Sequence, residues 1–180
     1  MPYLVVANVL LGIVAVANLI FTYGVIRRLR EHTSRLDTLA SGPANSDIML
    51  APGAQPAPFE PVLTTADEPL DRDALVGTTL VGFFSPSCAP CREQAPRFVE
   101  RATAAGPGRA LAVAVGTPET VHDLVTLLEP VARVVVEVED GPLHRAFGVQ
   151  GYPAVCVLDG DGRIGASGSV VDRLPELSAV

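Results

Sequence analysis

No Lys and no Trp occur among the 180 residues, and all thirteen basic side chains are Arg. The missing Lys points to codon composition rather than to function. Cysteine is scarce too: Cys88, Cys91 and Cys156 are the three present. That is too few for a fold stapled by disulfides. His32, His122 and His144 show no ligand spacing, and there is no second Cys-x-x-Cys. These gaps argue against a four-ligand zinc site, so no metal is expected. Basic side chains thin out after residue 39: from Ala40 onward nine Arg face eighteen Asp and Glu, a net charge of −9. With no basic stripe, nucleic acid is not an expected partner. The acidity is read as a means of staying soluble.

Charge is missing altogether from Leu4 to Ile26, a run of 23 residues rich in Leu, Val, Ala and Ile. As a helix it would extend roughly 34 Å, enough to cross a bilayer core. Asn8, Asn18 and Thr22 are tolerable polar interruptions and could face a partner helix. A cleaved signal peptide is the weaker reading, because no Lys or Arg precedes the run and a charged segment follows it. A core helix is excluded by the lack of any charged face. The cluster Arg27, Arg28 and Arg30 follows the span directly. By the positive-inside rule alone it would place the rest of the chain in the cytoplasm.

Residues 1–39 are thus expected to form a transmembrane anchor and a helical stalk. Residues 40–58, rich in Gly, Pro, Ala and Ser, read as a flexible linker, with Met49 and Leu50 placed to dock on a domain edge. The domain proper is expected over 59–180. Within it, Phe59–Thr65 reads as a strand, alone or in a hairpin, and Asp71 or Asp73 as the cap of a short helical turn. Thr79–Ser85, Ala110–Val115 and Val131–Val138 read as buried strands, being nearly all apolar or small. Helices are expected at Cys91–Ala105, after Pro118, and at Leu143–Phe147. Ala154–Leu158 and Arg163–Ser167 flank an Asp-Gly-Asp-Gly turn as a hairpin, and Asp172–Leu177 is at most a brief terminal helix. Helices alternating with strands, ending in a hairpin, imply an α/β fold with a mixed sheet flanked by helices.

The chemistry concentrates in Cys88-Ala89-Pro90-Cys91. A buried strand leads into it and a helix leads out, so Cys88 falls at a helix N-terminus, where unpaired N–H groups favour a thiolate. Cys91 lies one turn further in, within reach of a mixed disulfide formed on Cys88. A single Cys-x-x-Cys inside a βαβ pattern is a redox signature rather than a metal knuckle. Cys156, in the apolar run Ala154–Leu158, reads as an inert buried thiol; the sharper alternative is a third redox cysteine.

The segment Phe83–Pro96 resembles the active site of the thioredoxin superfamily, and more narrowly the membrane-anchored TlpA/ResA-like thiol-disulfide oxidoreductases, including MauD-like proteins. Val149-Gln150-Gly151-Tyr152-Pro153-Ala154-Val155 is similar to the cis-proline loop of that fold. The resemblance implies a thioredoxin-like fold preceded by one transmembrane helix. It implies that Cys88 attacks and Cys91 resolves. Ala89, Pro90, Tyr152 and Pro153 would meet the substrate chain, with Pro153 cis. No cofactor is implied. The partners would be protein thiols and disulfides and a membrane-bound or extracytoplasmic redox partner. The family places such a domain outside the cytoplasm, against the Arg cluster, and the extracytoplasmic placement is the expectation adopted. A reductase is the leading direction; a disulfide-donating oxidase or isomerase and a redox-silent adaptor are the alternatives. The chain departs from the family at Pro86 and Ser87, where an aromatic residue usually precedes the first cysteine. It departs again at Gly82, where thioredoxins carry a buried Asp.

Overall fold

The computed structural model describes residues 48–177 apart from Val76 and Thr78, together with Tyr3 and Gly12. The chain divides into two units, Met1–Gly42 and Pro43–Val180. In the first, Tyr3 and Gly12 are helical and exposed. The rest of the expected span, the stalk and the start of the linker lie outside the described residues. Among the described residues no helix is long and apolar enough to cross a membrane.

In the second unit, β1 (Val62–Leu63) and β2 (Pro69–Leu70) form a short antiparallel pair. The strand expected from Phe59 is cut short by Pro61, which has no N–H for a ladder. Asp71 Oδ1 accepts from Ala74 N–H at 2.9 Å, starting a single turn at Asp73–Leu75. The order then runs β3 (Thr79–Phe84), α1 (Ala89–Ala105), β4 (Ala110–Val115), α2 (Pro118–Leu128), β5 (Arg133–Glu137), α3 (Pro142–Ala146), β6 (Ala154–Leu158) and β7 (Ile164–Gly168). One last helical turn is Val171–Arg173.

Five strands make one sheet in the order β5-β4-β3-β6-β7. β3, β4 and β5 are parallel; β6 runs antiparallel to both β3 and β7. Every residue of β3, β4 and β6 is buried, as near-continuous apolar strands require when both faces are covered. The two-residue period of the strands splits the core. Leu80, Phe84, Ala112 and Val155 face α1 and α2, with Phe98 and Val121. Val81, Phe83, Val113 and Cys156 face the other way, toward α3, with its Leu143 and the following Phe147. Each large side chain buried in this way contributes about 1.5–3 kcal/mol.

Residues 48–57, expected within the linker over 40–58, are hydrogen-bonded to the domain. Gln150 N–H donates to Ile48 O at 2.7 Å, Leu50 N–H to Phe147 O at 3.0 Å, and Ala57 N–H to Ala146 O at 3.0 Å. Gly53 N–H and Ala54 O pair with Ile164 at 2.7 and 2.9 Å. Met49, only 2% exposed, is inserted in the core. The Gly and Pro residues of this stretch shape a strap over the domain, and the composition alone could not distinguish a strap from a free tether.

Candidate active site

β3 ends at Phe84 and the chain turns through Ser85–Ser87 before α1 begins. Cys88 is the N-cap of α1, with extended backbone (φ −90°, ψ 115°), and its Sγ accepts from Cys91 N–H at 3.3 Å. A side-chain acceptor at the N-cap satisfies one of the donors that a helix start leaves open. Pro90, within the first turn, has no N–H to orphan there. Ala89 and Pro90 are exposed beside the half-buried Cys88.

Cys91 points inward and is 0% exposed. Ser85 N–H donates to its Sγ at 3.5 Å. Burial pushes the Cys91 thiol well up, and its hydrogen bond with Cys88 pushes the same way. Both cysteines are free thiols here, so the pair is a dithiol.

The second motif arrives from 64 residues downstream: Cys88 Sγ donates to Tyr152 O at 3.2 Å. The Tyr152–Pro153 bond is cis, as the resemblance implied. The Tyr152 ring packs on His144, with centroids 5.8 Å apart. Burial, followed by the carboxylates of Glu139, Glu137 and Asp140, pushes the Tyr152 phenol up to about 12. Behind it, Glu137 Oε2 accepts from Leu143 N–H at 3.0 Å and Oε1 from His144 N–H at 2.7 Å, closing the start of α3. Burial nevertheless holds the Glu137 carboxyl above its ordinary value, against those two donors.

The structure therefore gathers Cys88, Cys91, Tyr152 and Pro153 at one end of the sheet. Cys156 is not among them. It is fully buried on the opposite face of the sheet from Cys91, which removes the idea of a third redox cysteine; burial alone raises its thiol.

Four contributors were not singled out from sequence. Ser85 supplies the N–H to Cys91, and its hydroxyl lies 3.0 Å from that of Ser87. Glu137 and His144 back Tyr152 through α3. Phe98 sits over Gly82: a Cβ on Gly82 would come 2.6 Å from Phe84 and 2.7 Å from Phe98. These two rings meet edge to face at 5.3 Å. The sequence signal for Phe98 was its place two turns beyond Cys91, on the face Cys91, Ala95, Phe98 and Ala102 that α1 buries.

No protein-family model matches the chain, and no curated protein matches it. Solved structures do. The thioredoxin domain of a thiol-disulfide oxidoreductase from Bacteroides vulgatus aligns with a TM-score of 0.57 at 20% identity, over 69% of this chain and 92% of that one. A thiol:disulfide interchange protein of the thioredoxin family from Chlorobium tepidum aligns at 0.51 and 26% identity, over 64% and 86%. A thio-disulfide isomerase from Thermus thermophilus aligns at 0.54 and 20% identity, over 67% and 87%. These likenesses show that the fold is thioredoxin-like, a mixed sheet flanked by helices. Several of the similar structures are thiol-disulfide oxidoreductases.

Proposed function

We propose that the chain is a thiol-disulfide oxidoreductase acting on protein disulfides, of the membrane-anchored TlpA/ResA-like and MauD-like kind, working as a reductase. One observation carries the reading. Cys88, at the head of α1, stands 3.2 Å from the carbonyl of Tyr152, next to Pro153 and above the buried Cys91. Two thiols and a substrate-facing backbone edge converge there from distant parts of the chain.

In the reaction, Cys88 attacks one sulfur of a substrate disulfide as its thiolate and expels the other substrate sulfur. A mixed disulfide on Cys88 results. Cys91 then gives up its proton and attacks Cys88 Sγ, forming the Cys88–Cys91 disulfide. The second substrate thiolate leaves and takes up a proton. The substrate has gained two electrons and the dithiol has lost them. Ala89, Pro90, Tyr152 and Pro153 line the approach.

The uncharged run Leu4–Ile26 supports a single-pass anchor, and the kinship read from the two motifs supports an extracytoplasmic domain. A membrane-bound or extracytoplasmic partner would then restore the dithiol. Reduction of insulin disulfides by the full chain, beside Cys88→Ser, tests the activity. We expect turnover in the parent and none in the variant. Equal behaviour of the two, or no exchange in the parent, would leave a thioredoxin-like adaptor.

A further inference from the structure

The Tyr152 carbonyl meets Cys88 from a segment that is neither helix nor strand, so whatever holds that segment sets where the backbone edge stands. Beyond it, β6 begins at Ala154, paired with Phe83. Pro153, between the two, has no N–H to give. Before it, the chain leaves α3: Gly148 N–H donates to Arg145 O at 3.1 Å and Val149 N–H to His144 O at 3.0 Å. Gln150 N–H then turns to the strap and donates to Ile48 O at 2.7 Å. Gly151 and Tyr152 thus stand between two fixed points, β6 on one side and the strap on the other.

The strap bears on this segment along its length. Leu50 N–H donates to Phe147 O at 3.0 Å, and Leu50 O accepts from the Ser167 hydroxyl at 3.0 Å. A Cβ on Gly148 would come 3.2 Å from Leu50, and one on Gly151 would come 3.8 Å from Ile48. Met49, between those two strap residues, is buried in the same cluster as Phe147 and Val149. Ile48 and Tyr152 are half-buried against that cluster. Two backbone bonds and one buried side chain therefore splint the run from Phe147 to Gly151. That run contains two glycines, whose backbone has the most freedom to lose.

We propose that the strap, through Ile48 and Met49, is a positioning element of the substrate site, holding the Gly151–Tyr152 backbone ready to pair with a protein substrate. The inference rests on the dithiol reading above. Attack by Cys88 needs only a substrate sulfur, but grip on a protein disulfide needs a backbone edge beside it for the substrate chain to lie along. Ile48 and Met49 act on that edge through Gln150 and Gly151, and so on binding rather than on the exchange of sulfurs. When the strap is loosened, one or two residues of backbone are freed, and substrate binding must order them again. Each residue so freed weakens binding about tenfold. The strap is then a determinant of how tightly protein disulfides are held.

The test is steady-state reduction of insulin by the full chain, with dithiothreitol as the electron source and KM and kcat read separately. Met49→Ala and Ile48→Ala should each raise KM about tenfold and leave kcat within about twofold. Met49→Leu, which keeps the volume, should restore KM. Leu128→Ala is the structural control. It empties a fully buried site on the opposite face of the sheet, so it loosens the fold without touching the strap and should leave KM at the parent value. A parent-like KM in folded Met49→Ala and Ile48→Ala would overturn the proposal. An equal rise in Leu128→Ala would overturn it too, because a loosened fold would then be enough. Should Met49→Ala not fold, Ile48→Ala, which trims a half-buried side chain, decides. The dithiol reading fails separately: a reduced parent that releases no thiopyridone from dithiodipyridine would sink that reading, whereas release with no KM difference among the variants would strike the strap alone.

Discussion

At the residue scale, Gly82 and Phe98 are two halves of one arrangement. β3 can present a glycine at its centre because the rings of Phe84 and Phe98 fill what a side chain would occupy. Gly82→Ala should therefore destabilise by overpacking, at about 1–3 kcal/mol. Phe98→Ala, which empties a fully buried site, should cost about 3–5 kcal/mol. Urea midpoints of the purified chain measure both, and values near zero would contradict the packing. Cys156 makes the opposite case. It lies across the sheet from the dithiol, so Cys156→Ala should reduce insulin disulfides at the parent's rate. A loss of that activity in the folded variant would show that Cys156 takes part. The candidate site residues were legible in the sequence, because Cys-x-x-Cys and Tyr-Pro are local patterns. Phe98 over Gly82 was not, because it depends on how α1 lies on β3, and the apolar stripe of α1 would suit any sheet beneath it.

At the scale of elements, α1 is placed so that its capping residue is the outer thiol. α3 is the less obvious device. Glu137, at the end of β5, accepts two N–H groups from α3, and α3 sets His144 against Tyr152, whose carbonyl meets Cys88. Burial outweighs the two donors and lifts the Glu137 carboxyl above its ordinary 4.5. The sign follows from linkage. The folded state binds that proton more tightly than the unfolded chain. Its contribution to stability is then fully present below about pH 4.5 and is lost as pH rises through the lifted value. Relative to Glu137→Gln, which cannot ionise, the parent should lose stability across that window. Urea midpoints of the two chains from about pH 4 to pH 7 measure it, and parallel curves would contradict it. The strap over 48–57 belongs to this scale too. Met49→Ala should cost about 2–5 kcal/mol, where a free linker would register nothing. Strands buried on both faces were legible as near-continuous apolar runs, and the helices by the Pro that opens them and the apolar stripe along one side. The strap was hidden because its Gly-Pro composition suits a bound extended segment as well as a tether.

For the whole molecule, a five-stranded mixed sheet covered on both faces carries the dithiol at the end where β3 meets α1. The order of elements in the sequence was enough to read that architecture. The proposed extracytoplasmic placement weighs the uncharged run Leu4–Ile26 against the Arg residues that follow it. A C-terminal alkaline phosphatase fusion should be active in cells, and a fluorescent fusion that matures in the cytoplasm should stay dark; the reverse result would put the domain inside. If Cys88 and Cys91 form a reversible redox couple poised for reduction, redox titration with thiol trapping should give a single two-electron transition near the thioredoxin value of about −270 mV, absent in Cys88→Ser. A transition near −120 mV would contradict the reductase direction, and failure of the two sulfurs to form a disulfide at any potential would contradict the redox role of the pair.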